Sequence, residues 1–313
     1  MLSKRSAGSA ASATRGALRV VSLLPSATEN IAALLKFCRD RRLINGFDGE
    51  ATPIPVLVGR SHDPALPNEG GLPMVTAPRT ACTSSADIDT QVGRVLEDKA
   101  SLYSLDIKLL VALKPDVVVT QSINRVCSPD IETIEKALGL RPARIVTTDP
   151  VSLMDVLVGQ FKDLGHELSI DEVGAAMAQA HTEKLDELQE LARTLAVKNS
   201  SSKPRVLMVE WLNPLFIGKH GWMRDIIEAA GGHVVESIDK DQDGNLPHVD
   251  AVVVACCGLN LEKTRSEIEQ GKVGAWWHEL FVSTRRPTPI YLVDGTSMFS
   301  RPTRRLLVAL EWL

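Results

Sequence analysis

Two spacings of hydrophobic positions alternate along the chain, and together they predict an α/β fold. Short apolar runs typical of buried strands begin with RVVSLL at residue 19 and recur at residues 56–59, 74–76, 117–121 and 144–147. Segments with apolar positions every three to four residues follow the strands, at NIAALLKF and at residues 87–101, 107–113 and 131–138. This alternation predicts a parallel or mixed sheet covered by helices.

The middle of the chain has a different pattern. Residues 151–198 contain no strand signal, and residues 171–197 have the apolar spacing of one long helix. A second strand and helix series begins after NSSSK, with RVLMVEW, MRDIIEAAGG, HVVESI, AVVVACC, a helix near residues 261–270, and PIYLVDG. We therefore predict a tail (1–18), an N-terminal α/β lobe (19–150), a linking helix (151–202) and a C-terminal α/β lobe (203–313).

Composition narrows the possible partners. The chain is 44% hydrophobic and 24% charged, and its net charge of −4 gives no electrostatic reason to expect nucleic acid or an anionic membrane. No apolar run approaches the roughly 20 residues that span a bilayer, so we expect a soluble protein without a membrane span. Its five cysteines are odd in number and irregularly spaced, which favours a reducing compartment.

The first 19 residues carry basic, serine and alanine residues, no acidic residue, and no apolar segment of a secretory signal. This composition is typical of a mitochondrial or plastid transit peptide and equally of a disordered tail. We therefore expect an intracellular protein, with the mitochondrion or plastid as candidate locations, and regard a periplasmic location as the weaker alternative.

Common catalytic signatures are absent from the sequence. It contains no G-x-G-x-x-G after a strand, no P-loop, no G-x-S-x-G and no H-E-x-x-H. Ser26 lies at a strand-to-helix turn where a nucleophile could stand, but Ser26 and Glu29 match a helix capping box. We predict no catalytic residue and no enzyme.

The metal signals are incomplete. Asp239, Asp241 and Asp243 match the start of a calcium loop, but Pro247 interrupts it and Asp250 stands at position twelve, where a glutamate belongs. A solvated acidic turn is the favoured interpretation, and calcium stays open. The cysteines and histidines lack zinc-site spacing, so we predict no metal site.

Several stretches in a fixed order carry a resemblance. They are RVVSLLPSATENIAAL, VGRSHD, SLYSLDIKLLVALKPDVVVTQ, VEWLNPLFIGKHGWMRDIIEAAGG, CCGLNLEKT and YLVDGTSMFSRPTRRLLVALEWL. From about residue 19 to 313 the chain resembles the helix-linked (class III) periplasmic binding proteins, the cobalamin and iron-siderophore substrate-binding proteins of ABC importers. The EWLNP stretch, a Trp before a helix, and a Cys-Gly pair are most similar to the cobalamin-binding subgroup.

The resemblance implies two Rossmann-like lobes, a rigid backbone helix, and a ligand cleft between the carboxyl ends of both sheets. It implies non-catalytic binding of cobalamin or a related corrinoid, whose ring has apolar faces for aromatic side chains and a rim of amides. The matching positions are expected to bind this ligand. In the first lobe they are Ser26, Thr28, Arg60, His62 and Gln121; in the second they are Trp211, Asn213, Trp222, Cys257, Gly258, Phe299 and Arg301.

Importer-bound members of the family present one glutamate from each lobe to the transporter. Glu228 matches the second-lobe position, but Lys108 stands at the first, and a reversed charge should repel the docking partner. We therefore expect an ABC transporter partner to be doubtful, and the protein to be a monomeric carrier of a small corrinoid or iron chelate.

Three alternatives remain open at this point. One is a receptor for haem, a siderophore or another metal chelate. Another is a tetrapyrrole-processing enzyme that uses Ser26, His62 or Cys257 as acid, base or ligand in the same cleft. The third is an interaction module whose cleft is closed.

Overall fold

The structure is a computed structural model. It describes residues 16–41, 53–62, 71–79, 85–97, 101–122, 128–139, 143–199, 202–283 and 288–313. The predicted targeting or disordered tail lies almost wholly outside these residues. Among the described residues, no helix is both long and apolar enough to cross a membrane.

The first lobe is built on a parallel sheet. Its strands are β1 (Arg19–Ser22), β2 (Val56–Gly59), β3 (Thr76–Pro78), β4 (Tyr103–Leu105), β5 (Val117–Thr120) and β6 (Arg144–Thr147). Four of them form a parallel sheet in the order β2-β1-β5-β6, while β3 and β4 pair antiparallel as a separate ribbon. All four residues of β5 are buried, as expected for a central parallel strand covered on both faces.

Helices cover both faces of this sheet. The helices of the first lobe are α1 (Pro25–Arg41), α2 (Ser85–Glu97), α3 (Ile107–Ala112) and α4 (Ile131–Leu138), and of these α1 packs on one face of the sheet and α3 and α4 on the other. Asp106 and Asp130 cap α3 and α4, because each carboxylate accepts a hydrogen bond from a backbone N–H of the first turn. One apolar core lies between the sheet and α1, and a second contains buried residues of α3 and α4.

A helical segment connects the lobes. It consists of a π-helical turn (Asp155–Gly159), α5 (Gln160–Glu167) and α6 (Asp171–Asn199), which at 29 residues is about 43 Å long. Early α6 residues, Val173 and Met177, pack into the first-lobe core, and the later Leu185 and Leu188 pack into the second-lobe core. Each core thus includes side chains of this one helix.

The second lobe contains a mixed sheet of β7 (Arg205–Leu212), β8 (Leu215–Ile217), β9 (His233–Val234), β10 (Ala251–Val254) and β11 (Ile290–Leu292). The order is β11-β10-β7-β8, β9 also pairs with β7, and only the pairing of β8 is antiparallel. Its helices are α7 (Gly221–Ala229), α8 (Leu261–Glu269), α9 (Ala275–His278), a π-helical turn (Glu279–Ser283) and α10 (Leu306–Trp312).

The predicted fold class is confirmed: the chain has two α/β lobes and a long connecting helix. The prediction missed β4, β8 and α9, and other differences lie at element ends. The helix predicted at residues 87–101 spans Ser85–Glu97, and HVVESI forms only a two-residue strand because β9 pairs with β7 over that length alone.

Candidate functional site

The strand ends of each lobe define the candidate site. The parallel strands of a sheet end at one edge, and in open α/β folds ligands bind at that carboxyl edge. In the first lobe the edge carries the residues that follow β1, β2 and β5, and in the second lobe those that follow β7, β10 and β11. The predicted ligand-binding residues come from these segments, except Trp222 at the start of α7.

A buried polar network joins the two lobes beside these edges. Asn30 of α1 is fully buried, and its Nδ2 donates to Gln160 Oε1 at 3.1 Å and to the Pro302 carbonyl at 3.0 Å. Gln160 Nε2 donates to the same carbonyl at 3.1 Å, and Arg305 forms an ion pair with Glu29. We call these five residues the lobe junction. It fixes the start of α1 against the segment that follows β11.

Ser26 and Thr28 occupy the first turn of α1. The helix begins at Pro25, so Ser26 lies inside it, and Glu29 faces Arg305 of the second lobe. The predicted capping box therefore does not form, because Glu29 pairs with Arg305 of the second lobe. Thr28 is buried, and its hydroxyl donates to the Leu24 carbonyl at 2.9 Å.

Arg60 and His62 follow β2 at the carboxyl edge. Arg60 is only 8% exposed. The His62 ring is fixed by Thr76, whose Oγ1 lies 2.9 Å from His62 Nδ1, and by Tyr103, with ring centroids 4.3 Å apart in a stacked arrangement. The sequence does not single out Tyr103 as a site residue, because only the pairing of β3 with β4 brings it next to His62. Gln121 is half-buried after β5, and its carbonyl accepts the Ser128 hydroxyl at 3.2 Å.

Trp222 and Phe299 form one unit in the second lobe. The Trp222 ring is half-buried, and its Nε1 donates to the Phe299 carbonyl at 2.8 Å. The Phe299 ring is fully buried and meets Trp312 edge-on at 6.1 Å. Phe299 was expected to offer a ring face to the ligand, but here its ring packs in the core and its carbonyl positions Trp222.

Trp211 lies at the end of β7 and is 7% exposed. Its Nε1 is buried and has no hydrogen-bond partner among the described residues, which is an energetically costly state for an indole N–H. Ile88 of α2 packs against the same apolar cluster, so a first-lobe helix reaches this part of the second lobe. Asn213 is exposed in the turn between β7 and β8.

Cys257 and Gly258 are exposed after β10, and the Cys257 N–H donates to the Glu210 carbonyl at 3.1 Å. Burial raises the pKa of the neighbouring Cys256 thiol to about 12, so Cys256 stays protonated. Burial also raises the pKa of the Glu210 carboxyl. Arg301 is half-buried after β11.

The acidic turn is organised by its own hydrogen bonds. Asp241 Oδ1 accepts the backbone N–H groups of Asp243 and Asn245 at 2.9 and 2.8 Å, which lower the pKa of the Asp241 carboxyl. Within the part of the chain that the structure describes, no group of three His, Cys, Asp or Glu residues could hold a metal ion.

Glu228 is exposed on α7 and pairs with Arg224 at 2.8 Å. Arg224 also pairs with Glu236 at 2.7 Å. Lys108 is exposed on α3. Two of the predicted ligand-binding residues, Thr28 and Arg60, also line a cavity of about 410 Å³ between α1, α6 and the C-terminal helix.

Comparison with solved structures shows the same fold. An ABC transporter substrate-binding protein from Listeria monocytogenes EGD-e is 17% identical with a TM-score of 0.60, over 95% of this chain and 96% of that one. The periplasmic vitamin B12 binding protein BtuF of Vibrio cholerae is 18% identical with a TM-score of 0.55, over 95% and 94%. A periplasmic heme binding protein from Pseudomonas aeruginosa is 18% identical with a TM-score of 0.56, over 93% and 89%.

No protein-family model and no curated protein sequence matches the chain significantly. The resemblance seen in the sequence is thus supported at the level of the fold. The cobalamin subgroup is not singled out, because the similar structures include both a vitamin B12 binding protein and a heme binding protein.

These comparisons correct two expectations. The similar structures are periplasmic binding proteins and an ABC transporter substrate-binding protein, so the predicted intracellular or organellar location and the doubt about an ABC transporter partner are wrong. Both expectations rested on the composition of the first residues and on Lys108. The chain has the two-lobed fold of these substrate-binding proteins.

Proposed function

We propose that this chain is a non-catalytic substrate-binding protein that holds cobalamin or a related corrinoid between the carboxyl edges of its two sheets and delivers it to an ABC transporter. The lobe junction carries this proposal. It joins the start of α1 to the segment after β11, so residues that follow strands of both sheets stand on either side of one junction. Open α/β folds bind ligands at such edges.

The chemistry of the edges suits a large, flat ligand with a polar rim. Trp222 is half-buried and held by a hydrogen bond from its Nε1, which leaves part of an oriented ring available for an apolar face. Arg301 and Gln121 are half-buried at opposite edges and can hydrogen-bond to amide groups. Trp211, with its unpartnered N–H, gains a partner if ligand binding shifts its ring.

Binding is tested by calorimetric titration of the purified protein with cyanocobalamin. We expect saturable binding that weakens at least about tenfold in Trp222→Ala, from the loss of a ring face. Trp277→Ala is the matched control, because Trp277 packs beside Trp276 and Phe281 in the second lobe and is not among the predicted ligand-binding residues. Absence of cyanocobalamin binding to the wild-type protein would refute the corrinoid proposal.

A haem-type chelate is the second candidate, and one observation favours it. His62 and Tyr103 stack at the edge of the first lobe, and imidazole and phenolate are both known axial ligands of haem iron. Titration with haemin followed by visible absorbance should then give a band shift that His62→Ala removes. His166→Ala is the control, since His166 is exposed on α5 and pairs with Asp171.

Delivery to a transporter is proposed through the exposed face of α7. Glu228 of α7 and the nearby Glu236 both pair with Arg224, so two carboxylates share one guanidinium beside this face, and Lys219 also lies near Glu236. Glu228→Lys should weaken capture by a reconstituted ABC importer of the same ligand without changing ligand affinity. Unchanged capture would exclude this surface as the docking site.

The enzyme alternative is tested on the bound ligand itself. Cobalamin or haem recovered after incubation with the protein should have its original mass. A changed mass that depends on Ser26, His62 or Cys257 would favour a tetrapyrrole-processing enzyme.

A further inference from the structure

A cavity of about 410 Å³ lies between α1, α6 and α10, beside the lobe junction. Its volume falls within the range of roughly 300–1,000 Å³ usual for small-molecule sites. The apolar part of its wall comes from both lobes, and consists of Ala32, Ala33, Leu57, Leu72, Leu307 and Val308. A ligand in this cavity would touch the first lobe, the connecting helix and the second lobe together.

The polar part of the wall is mainly basic. Five cationic side chains line the cavity against the two carboxylates of Glu29 and Glu311, although the whole chain has a net charge of −4. The five are Lys36, Arg60, Lys184, Arg304 and Arg305. The cavity therefore combines an apolar wall with a positive potential, opposite in sign to the protein as a whole.

Internal pairing leaves part of this charge available. Glu29 is used by Arg305, while Lys184 pairs with Glu187 at 3.0 Å and Lys36 pairs with Asp40 at 2.5 Å, both as exposed and therefore weak ion pairs. Arg304 is exposed and has no ion pair with any residue that the structure describes. Its charge acts on His181, one helical turn before Lys184, so Arg304 lies near the α6 side of the cavity.

We propose that this cavity is a second binding site, for a small amphipathic carboxylate. The carboxylate head binds Arg304 and Lys184, and a short unbranched hydrocarbon chain lies against the alanine and leucine side chains of α1, β2 and α10. The ligand differs from that of the corrinoid or haem proposal, with which the cavity shares Thr28 and Arg60, since an anionic head group and a single apolar chain are unlike a flat chelate.

The probe is decanoate, titrated calorimetrically into the full chain below its micelle concentration. We expect saturable binding at one site, and binding at least about tenfold weaker for decyltrimethylammonium, which has the same chain and the opposite charge. Arg304→Glu should weaken decanoate binding by about tenfold or more, because it places a negative charge beside the carboxylate. Ala32→Trp should abolish binding by filling the cavity.

Arg265→Glu is the matched control, because Arg265 is equally exposed, lies on α8, and does not line the cavity. It should leave decanoate affinity unchanged. Far-ultraviolet circular dichroism of each variant separates loss of binding from loss of folding. Since Arg304 is exposed, its variant should fold normally.

Two outcomes of the decanoate titration would overturn the proposal. One is absence of decanoate binding to the wild-type protein, and the other is binding that Ala32→Trp and Arg304→Glu leave intact. Sedimentation with phosphatidylglycerol vesicles distinguishes a lipid surface from a free carboxylate. The protein could be retained on vesicles in a way that salt abolishes and Ala32→Trp leaves unchanged. Together with absence of decanoate binding, this result would show that surface charge alone holds the vesicles, and it would also overturn the proposal. Cyanocobalamin and haemin titrations of the same variants report separately on the proposed function.

Discussion

Replacing Asn30 tests the lobe junction directly. Asn30→Leu keeps the side-chain volume close to native and removes the donor to Gln160 Oε1 and to the Pro302 carbonyl. Each buried hydrogen bond contributes about 0.5–1.5 kcal/mol net, and Gln160 Oε1 would be left buried without that donor at a further cost of about 1 kcal/mol or more. The change also removes Asn30 Oδ1, which is buried without a partner among the described residues, and this offsets about 1 kcal/mol, so we expect the free energy of unfolding to fall by about 1–3 kcal/mol.

The pairing is resolved by a double-mutant cycle with Gln160→Leu, measured by urea unfolding followed by tryptophan fluorescence. Because the Asn30–Gln160 bond is lost in each single variant, the double variant should cost about 1 kcal/mol less than the sum of the two. Gln179→Leu, an exposed substitution on α6, is the control and should change stability by less than about 0.5 kcal/mol. A loss in Asn30→Leu below about 0.5 kcal/mol, or strict additivity of the pair, would refute the reasoning.

Three further predictions concern the connecting helix and the junction. Gly174→Ala should destabilise the protein by about 1–3 kcal/mol, because its Cβ would lie 2.5 Å from a carbonyl oxygen of α5. Gly93→Ala should stabilise it by up to about 1 kcal/mol, because a Cβ at this position of α2 would meet no atom within 4 Å. Thermal unfolding compares the two variants. Burial lowers the pKa of His181 below 6.5. The stability that neutral His181 contributes is therefore full above pH 6.5 and is lost as the pH falls through the pKa of His181 in the folded state. His181→Gln should flatten this part of the pH–stability curve. Arg305→Ala should destabilise more than Arg305→Ala combined with Glu29→Gln, because the single change leaves a largely buried carboxylate without its cation; urea unfolding measures the difference.

Each of these has a contrary outcome. Equal stability of the two glycine variants would mean that the α5–α6 contact tolerates a methyl group. A pH–stability curve that His181→Gln leaves unchanged would remove His181 as the titrating group. If the double change at the ion pair costs as much as the single one, the pair contributes nothing through burial.

The candidate site was partly predictable. The strand ends that carry Thr28, Arg60 and His62 follow directly from short apolar runs, and the order of those runs was enough to place them at a carboxyl edge. Tyr103 could not be found in this way, because its contact with His62 depends on an antiparallel ribbon that carries no spacing signal. The capping box failed because a local pattern competes with a long-range partner, Arg305, which local rules do not include.

By itself, the sequence determined most of the secondary elements and their alternation, since the spacing of apolar residues is a local property set by helix and strand geometry. It also determined the long helix, through continuous spacing from residue 171. Only the tertiary structure decided which side chains meet across the lobes and which aromatic rings are buried. Asn30 bonds to Pro302 across 272 positions, and Phe299 turns its ring into the core while its carbonyl holds Trp222. Such contacts depend on how two separately patterned lobes pack against one helix, and no local spacing encodes that packing.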